Sequence, residues 1–371
     1  MLYRRDNIIG CDASGKRVHA RLVGGKAGNL FVLRRSGFNV PKWCVVSTAV
    51  FERLCGPHRG TIAAILREID FNDQQSLEQA TRRIQQVILD IAFPNALIEE
   101  LAAAAGDISP ARSRLAVRSS VVGEDSDKNS FAGLMDSFLN VSPAELPEAV
   151  KKVWASAYSS RAIMYRHRKG IDPAGVSTAV IVQNMVPSEC SGILFTKDPE
   201  NGSGECVISA GLGLGEGVVQ NLVETDTYRV NPQTNKIHRD VAAKTERMDA
   251  IRENAGIRTN AVETTRGTEP ALDDSQILKL AREGERAETV YGRPQDMEWA
   301  YDATGQLYIL QSRPITCRAD QASDAGFSVW DNSNVVESYP GITLPLTFSF
   351  IRRCYQVTLT RAALGLVAFK R

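Results

Sequence analysis

Asp296 and Glu298 stand two residues apart, and Gln311 and Arg313 repeat that spacing further along. On a β-hairpin, alternate residues share a face. Asp302 to Gly305 reads as the turn, with Gly305 able to take positive φ. That turn pairs Tyr301 with Gln306, Glu298 with Ile309 and Asp296 with Gln311. Met297, Trp299, Tyr301, Tyr308 and Leu310 then form the apolar face. The polar face offers two carboxylates and an amide oxygen, the hard donors that suit magnesium. Arg313 beside them has the forked geometry that holds phosphate oxygens. The competing reading of the hairpin is an ordinary solvated sheet face.

Other residues point to anions. Gly24 and Gly25 precede a helical stretch, so backbone amides can approach an anion there, and Lys26 adds a mobile positive charge. The stretch is not a P-loop, because Ala20 and Ala27 occupy positions that need glycine and serine or threonine. A tight turn with a solvated lysine is the plainer alternative. Arg118 ends the apolar run LAVRS, where a fixed guanidinium pairs with an acid or with a ligand phosphate. Gly133 gives the following polar loop freedom to fold over a triphosphate, and Ser119, Ser120 and Ser137 offer hydroxyls. GLGLGEG, from Gly211 to Gly217, fails the dinucleotide fingerprint at Glu216, leaving a flexible loop beside a nucleotide or a simple turn. His167, among Arg166, Arg168 and Lys169, reads as a solvated helix end.

The elements that must position these groups are mixed. Helices are expected from Lys26 to Ser36, Thr48 to Leu54, Ser76 to Ala92 and Pro147 to Lys169, and from an Asp274 cap to Tyr291. Strands are expected at Trp43 to Val46, Leu115 to Ser119, Thr178 to Asn184, Gly192 to Thr196, Cys206 to Ala210 and Thr227 to Val230. The fold class is therefore α/β (α+β). Three parts are expected: 1–177, a first lobe with an N-terminal helical region; 178–316, a second lobe with the hairpin; and 317–371, a linker and the start of a further domain.

Composition excludes several classes. Lysine and arginine number 44 against 43 acidic residues, a net charge of +1, which argues against a surface for nucleic acid. The seven cysteines are scattered and never form CxxC, so a reducing cytoplasm without disulfides or zinc is the expected setting. No apolar run reaches membrane-spanning length, and MLYRRDNIIG has no signal-peptide core.

In order along the chain, GGKAGNL, FNVPKWCVVSTAVF, LAVRSSVVGEDSDKNSFAGLMDSFLNV, VWASAYSSRAIMYR, VQNMV, SGILFTKDP, GLGEGVVQ and DMEWAYDATGQLYILQSRPIT resemble the N-terminal domain of the phosphoenolpyruvate synthase and pyruvate phosphate dikinase family. The resemblance implies an ATP-grasp fold whose two lobes hold ATP, with a C-terminal extension. It implies that Lys26 and Arg118 contact the ATP phosphates, and that Gly133 and Ser137 lie in the covering loop, with serine where the family has threonine. Gln183 and the backbone near Met185 take the adenine edge. Glu298 and Gln311 take Mg2+, Arg313 contacts the transferred phosphates, and Asp296 orients. The implied reaction passes the ATP β-phosphoryl to a histidine on a swivelling domain, then to pyruvate. The histidine segment is absent from these residues, so that domain is expected on another chain or removed by truncation. Residues Trp330 to Phe350 resemble the piece that follows this domain in relatives with other acceptors, including rifampicin phosphotransferases. An antibiotic-directed or biosynthetic relative and a non-catalytic nucleotide-binding module are the alternatives.

Overall fold

The computed structural model describes residues 7–13, 18–109, 114–122, 125–126, 129–130, 134–172, 174–199, 204–251 and 256–315. All of them fall in one compact unit, Met1–Ser328. Gly133 and the expected C-terminal extension lie outside the described residues.

The chain begins with β1 (Ile8–Gly10), α1 (Ala20–Arg35) and β2 (Trp43–Val46). Four helices follow: α2 (Thr48–Cys55), α3 (Arg59–Arg67), α4 (Gln74–Leu89) and α5 (Asn95–Ile108). Next come β3 (Leu115–Val121), the two-residue strands β4 (Asp125–Ser126) and β5 (Asn129–Ser130), and β6 (Phe138–Val141). Helices α6 (Leu146–Ser156) and α7 (Ser160–Lys169) lead to β7 (Thr178–Asn184). The second half runs β8 (Ser188–Phe195), β9 (Cys206–Leu212), α8 (Glu216–Val219), β10 (Asp226–Val230) and β11 (Ile237–Asp240). It ends with β12 (Glu246–Ala250), β13 (Ile257–Ala261), α9 (Thr264–Thr268), α10 (Asp274–Tyr291), β14 (Gln295–Asp302) and β15 (Leu307–Pro314).

Two antiparallel sheets organise these elements, one in the order β1-β2-β7-β3-β6 and one in the order β11-β10-β9-β8-β14-β15. The sequence put β7 in the second lobe, but it is the central strand of the first sheet, paired with β2 and β3. The change of sheet therefore falls after Asn184, not before Thr178. Val180 and Val182 are fully buried because their face of the sheet is covered by a helical core.

Strand alternation gives the first sheet two apolar faces. Cys44, Val46, Val117, Val180 and Val182 pack against Ile84 of α4 and Trp154 of α6. Trp43, Val45 and Ile181 join a second core with Leu30, Phe31 and Leu33 of α1. That core continues into Tyr228, Trp299 and Ile309 of the second sheet and Ile277 and Leu280 of α10. Helix α1 is thus the wedge between the sheets, touching β3 and β7 on one side and β15 on the other.

Two helices differ from expectation. The single helix expected from Pro147 to Lys169 is broken in two between Ser156 and Ser160. Serine hydroxyls there compete for backbone groups: Ser156 Oγ donates to Val153 O at 2.8 Å, and Ser159 Oγ accepts from Ala162 N at 3.2 Å, capping α7. Gly170, in the left-handed region, ends α7 as expected. The cap of α10 is Asp273, one residue before the expected Asp274, because Asp273 and Gln276 form a reciprocal capping box.

Helix α1 starts at Ala20, earlier than Lys26, and is interrupted at Gly24 (φ 76°, ψ 176°). Ser120 of β3 holds the interruption: its hydroxyl accepts from Ala27 N at 3.0 Å and donates to Val23 O at 2.7 Å. That hydroxyl, expected as a phosphate donor, is consumed in the fold. A Cβ on Gly24 would stand 2.1 Å from Ser120 O. Gly24→Ala should therefore lower the unfolding free energy by about 2 kcal/mol or more. Gly28→Ala, in the same helix with open space around it, should gain up to ~1 kcal/mol. Denaturant titration of the two variants measures both; equal effects would contradict the role given to the kink.

Candidate functional site

β3 and β7 aim one face at the second sheet. The pairs Ala116↔Gln183, Arg118↔Ile181 and Ser120↔Ala179 fix which residues share that face. Arg118 is the one residue of β3 that is not fully buried. Opposite it, β14 presents Glu298, and Arg118 Nη2 meets Glu298 Oε2 at 2.5 Å. Both side chains are mostly withdrawn from water, at 17% and 19% exposure. Arg118, Gln183, Met185, Glu216, Glu298 and Leu310 line one cleft between the sheets.

The hairpin carrying Glu298 has a register different from that expected. Tyr301 pairs with Leu307, Ala300 with Tyr308 and Trp299 with Ile309. Leu307 and Ile309 therefore face the core, while Tyr308 and Leu310 are only partly buried and Leu310 lines the cleft. A bulge then shifts the pairing, so that Glu298 stands opposite Gln311 and Asp296 opposite Arg313. The four polar residues share one face, as expected, but by way of the bulge. Arg313 Nε donates to Asp296 Oδ2 at 2.7 Å.

The electrostatics follow from burial and neighbours. Burial acts to raise the Glu298 carboxyl, but the Arg118 guanidinium, with Arg313 and Lys26, outweighs it and holds the group below its ordinary value. Glu216 goes the other way: burial raises it, Arg118 lowers it in part, and Glu298 raises it further. The sequence missed Glu216 as a site residue; the signal available was its place after a glycine-rich strand end and at the start of α8. Lys26 reaches the site through its charge on Glu298. Ser137 lines an adjoining cavity that shares Glu216 with the cleft.

Gln183 is 3% exposed, and its Nε2 finds no hydrogen-bond partner among the described residues. A buried amide donor at the wall of a cleft fits a planar, acceptor-bearing ring. The Met185 N–H is committed to Arg114 O at 3.0 Å, and its sulfur accepts from Asn140 N at 2.9 Å. Met185 therefore has its carbonyl and side-chain surface to offer, not its amide proton.

The donor set fits magnesium in kind. Glu298 supplies an ionised carboxylate and Gln311, buried beside it, a neutral amide oxygen. Among the described residues no three His, Cys, Asp or Glu side chains gather as a metal site by themselves. Such a set suits an ion that takes its remaining ligands from phosphate and water. The five described cysteines are buried thiols, with burial pushing Cys44, Cys55 and Cys190 up to about 12. No helix among the described residues is long and apolar enough to cross a membrane.

Because the folded value of Glu298 lies below its unfolded one, the pair stabilises the fold above the ordinary carboxylate range. That contribution is lost as pH falls through the depressed value. Arg118→Met should leave burial the dominant influence and move the Glu298 carboxyl up, read by carbon-detected NMR titration. An unshifted titration would remove Arg118 as the controlling partner.

Residues 20–328 match the family model described as pyruvate phosphate dikinase, AMP/ATP-binding domain. A rifampicin phosphotransferase from Streptomyces sp. is 38% identical over 301 residues, 79% of this chain and 34% of that protein. A probable phosphoenolpyruvate synthase from Archaeoglobus fulgidus is 37% identical, covering 82% of this chain and 41% of that protein. The phosphoenolpyruvate synthase of Pyrococcus furiosus is 35% identical, covering 81% and 43%. The chain thus spans less than half the length of each of these relatives. Among solved structures, the ATP-grasp ligase PsnB aligns over 80% of this chain and 54% of that one, at 12% identity and a TM-score of 0.26. The match of the family model over most of the chain, with relatives above a third identity, carries the assignment: the chain belongs to the pyruvate phosphate dikinase AMP/ATP-binding domain family.

Proposed function

We propose that this chain is an ATP-grasp module that binds Mg-ATP in the cleft between its sheets and drives phosphoryl transfer. The observation that carries the reading is the convergence of Arg118, Glu298 and the unpartnered amide of Gln183 on one cleft. In this reading Gln183 donates to the adenine edge, while Lys26 and Arg118 lie against the phosphates. Arg313, oriented by Asp296, contacts the phosphates in transfer, and Gly133 and Ser137 belong to the covering loop. Magnesium, held by Glu298 and Gln311, would supply neutralisation of phosphate charge. The protein's own part is positioning and fixed positive charge, the dominant contributions in phosphoryl transfer.

The ATP β-phosphoryl passes to a histidine on a separate domain, releasing AMP and phosphate, and from there to an acceptor. Relatives named for phosphoenolpyruvate synthesis and for rifampicin phosphorylation match over similar shares of the chain at similar identity. The reading therefore commits to the ATP half-reaction, with pyruvate or an antibiotic as alternative final acceptors. Retention of Arg118, Glu298, Gln311 and Arg313 together favours a catalytic module over a purely regulatory one.

Calorimetric titration tests this directly. The chain should bind ATP more tightly with magnesium than without, and Glu298→Ala should abolish that difference. Arg313→Ala should weaken ATP by roughly 10- to 100-fold, the loss of charged hydrogen bonds, while AMP affinity stays within about twofold. Equal losses for ATP and AMP would sink the phosphate role of Arg313, and no ATP binding in any condition would sink the whole reading.

A further inference from the structure

A second cavity, of about 370 Å³, opens beyond the far end of β3 and shares no described lining residue with the ATP cleft. We propose that it binds a small organic anion, with the oxyanion on Arg166 and Arg21 and the body on an aliphatic wall.

Arg166 is the central observation. The sequence reads it as part of a solvated helix end, yet it is 3% exposed and lines the cavity. Its Nη1 donates to Ala157 O at 2.5 Å, the carbonyl just past the end of α6. A guanidinium carries five N–H donors, and among the described residues no carboxylate pairs with this one. Burial lowers its pKa, but a guanidinium remains cationic in a protein. Capping a carbonyl needs only a neutral donor, and a buried cation without a counter-charge is costly. The charge therefore exceeds what the fold requires.

The rest of the lining supplies what an anion needs. Arg21, exposed in the first turn of α1, adds a second cation. Asp172 stands exposed at the rim, its Oδ1 turned back to accept from Ala174 N at 2.9 Å. Val121, Ile171 and Val176 are aliphatic, which favours a ligand with an apolar body over a bare hydrated ion. The volume lies near the lower end of ligand-pocket sizes, suited to a short metabolite.

The proposal stands independently of the ATP reading, and its test keeps the two apart. The full chain is titrated calorimetrically with butyrate, its neutral isostere butyramide, and inorganic phosphate. Butyrate should bind saturably and at least tenfold more tightly than butyramide. Arg21→Gln, an exposed change, should weaken butyrate about tenfold, the scale of one charged hydrogen bond, and leave ATP binding unaltered. Arg166→Gln, which keeps a donor for Ala157, should abolish butyrate binding; if that variant does not fold, Arg21→Gln decides. Arg118→Ala, which disables the ATP cleft, should leave butyrate binding intact. Phosphate competing with butyrate would support a shared oxyanion seat. Three results would overturn the proposal: no saturable butyrate binding, equal binding of butyramide, or loss in Arg118→Ala without loss in Arg21→Gln. Phosphate binding without butyrate binding would also overturn it, since the aliphatic wall would then have no part.

Discussion

A guanidinium from one sheet and a carboxylate from the other, both largely withdrawn from water, set the distance across the cleft. Either charge alone at that depth would be strongly unfavourable, and removing one partner of such a pair typically costs about 3–5 kcal/mol. The two sheets are therefore constrained to meet where Arg118 and Glu298 can touch. Other ties agree with that placement. Asn39 donates to Leu307 O at 2.7 Å and accepts from Ile309 N at 2.9 Å, which fixes β15 to the loop after α1. On the other side, Asn140 at the end of β6 donates to Ile251 O at 2.6 Å and Gly256 O at 2.9 Å. The cleft is framed before any ligand enters, and preorganised charge is what phosphoryl transfer requires.

Much of this was legible in the sequence because the signals were local. The strands at Trp43, Leu115 and Thr178 carry apolar runs bounded by turn residues, and the structure has strands there. The polar face of the hairpin was legible as a set, since alternation survives when the whole strand is read together. Its register was not, because a bulge leaves no mark in composition. A turn one residue longer than expected exchanges the roles of Tyr308 and Ile309, and the extra residue at Leu310 then returns Gln311 to the side of Glu298. The break between α6 and α7 was hidden for a similar reason. Apolar spacing runs across it, while the serine hydroxyls that stop α6 act through specific hydrogen bonds.

Sheet membership was beyond the sequence altogether. β7 follows a glycine-containing turn and leads into the run of strands that builds the second sheet, so its position in the chain suggests the wrong partner. Only long-range pairing with β2 and β3 assigns it, and pairing is decided by which face finds a core. Arg166 failed for the same cause. A basic run at a helix end is solvated in most proteins, and what buries this one is α6 returning to present the Ala157 carbonyl.

The buried polar groups of the molecule divide by whether the protein satisfies them. Asp226 and Lys244 form a fully buried ion pair at 2.6 Å, and Asp226 also accepts from Tyr228 Oη, Ala242 N and Ala271 N. Every strong acceptor site there is filled from within, so the network fixes β10 to the segment before α10 and has no capacity left for a ligand. Gln183 is buried to a similar degree but keeps a donor unfilled at a cleft wall, and Arg166 keeps charge unmatched at a cavity wall. Burial is costly in all three places, but among the described residues the compensation is complete only in the first. In the other two no described residue supplies it, and the proposed ligands match what is missing: a ring acceptor for the Gln183 amide and an oxyanion for the Arg166 guanidinium.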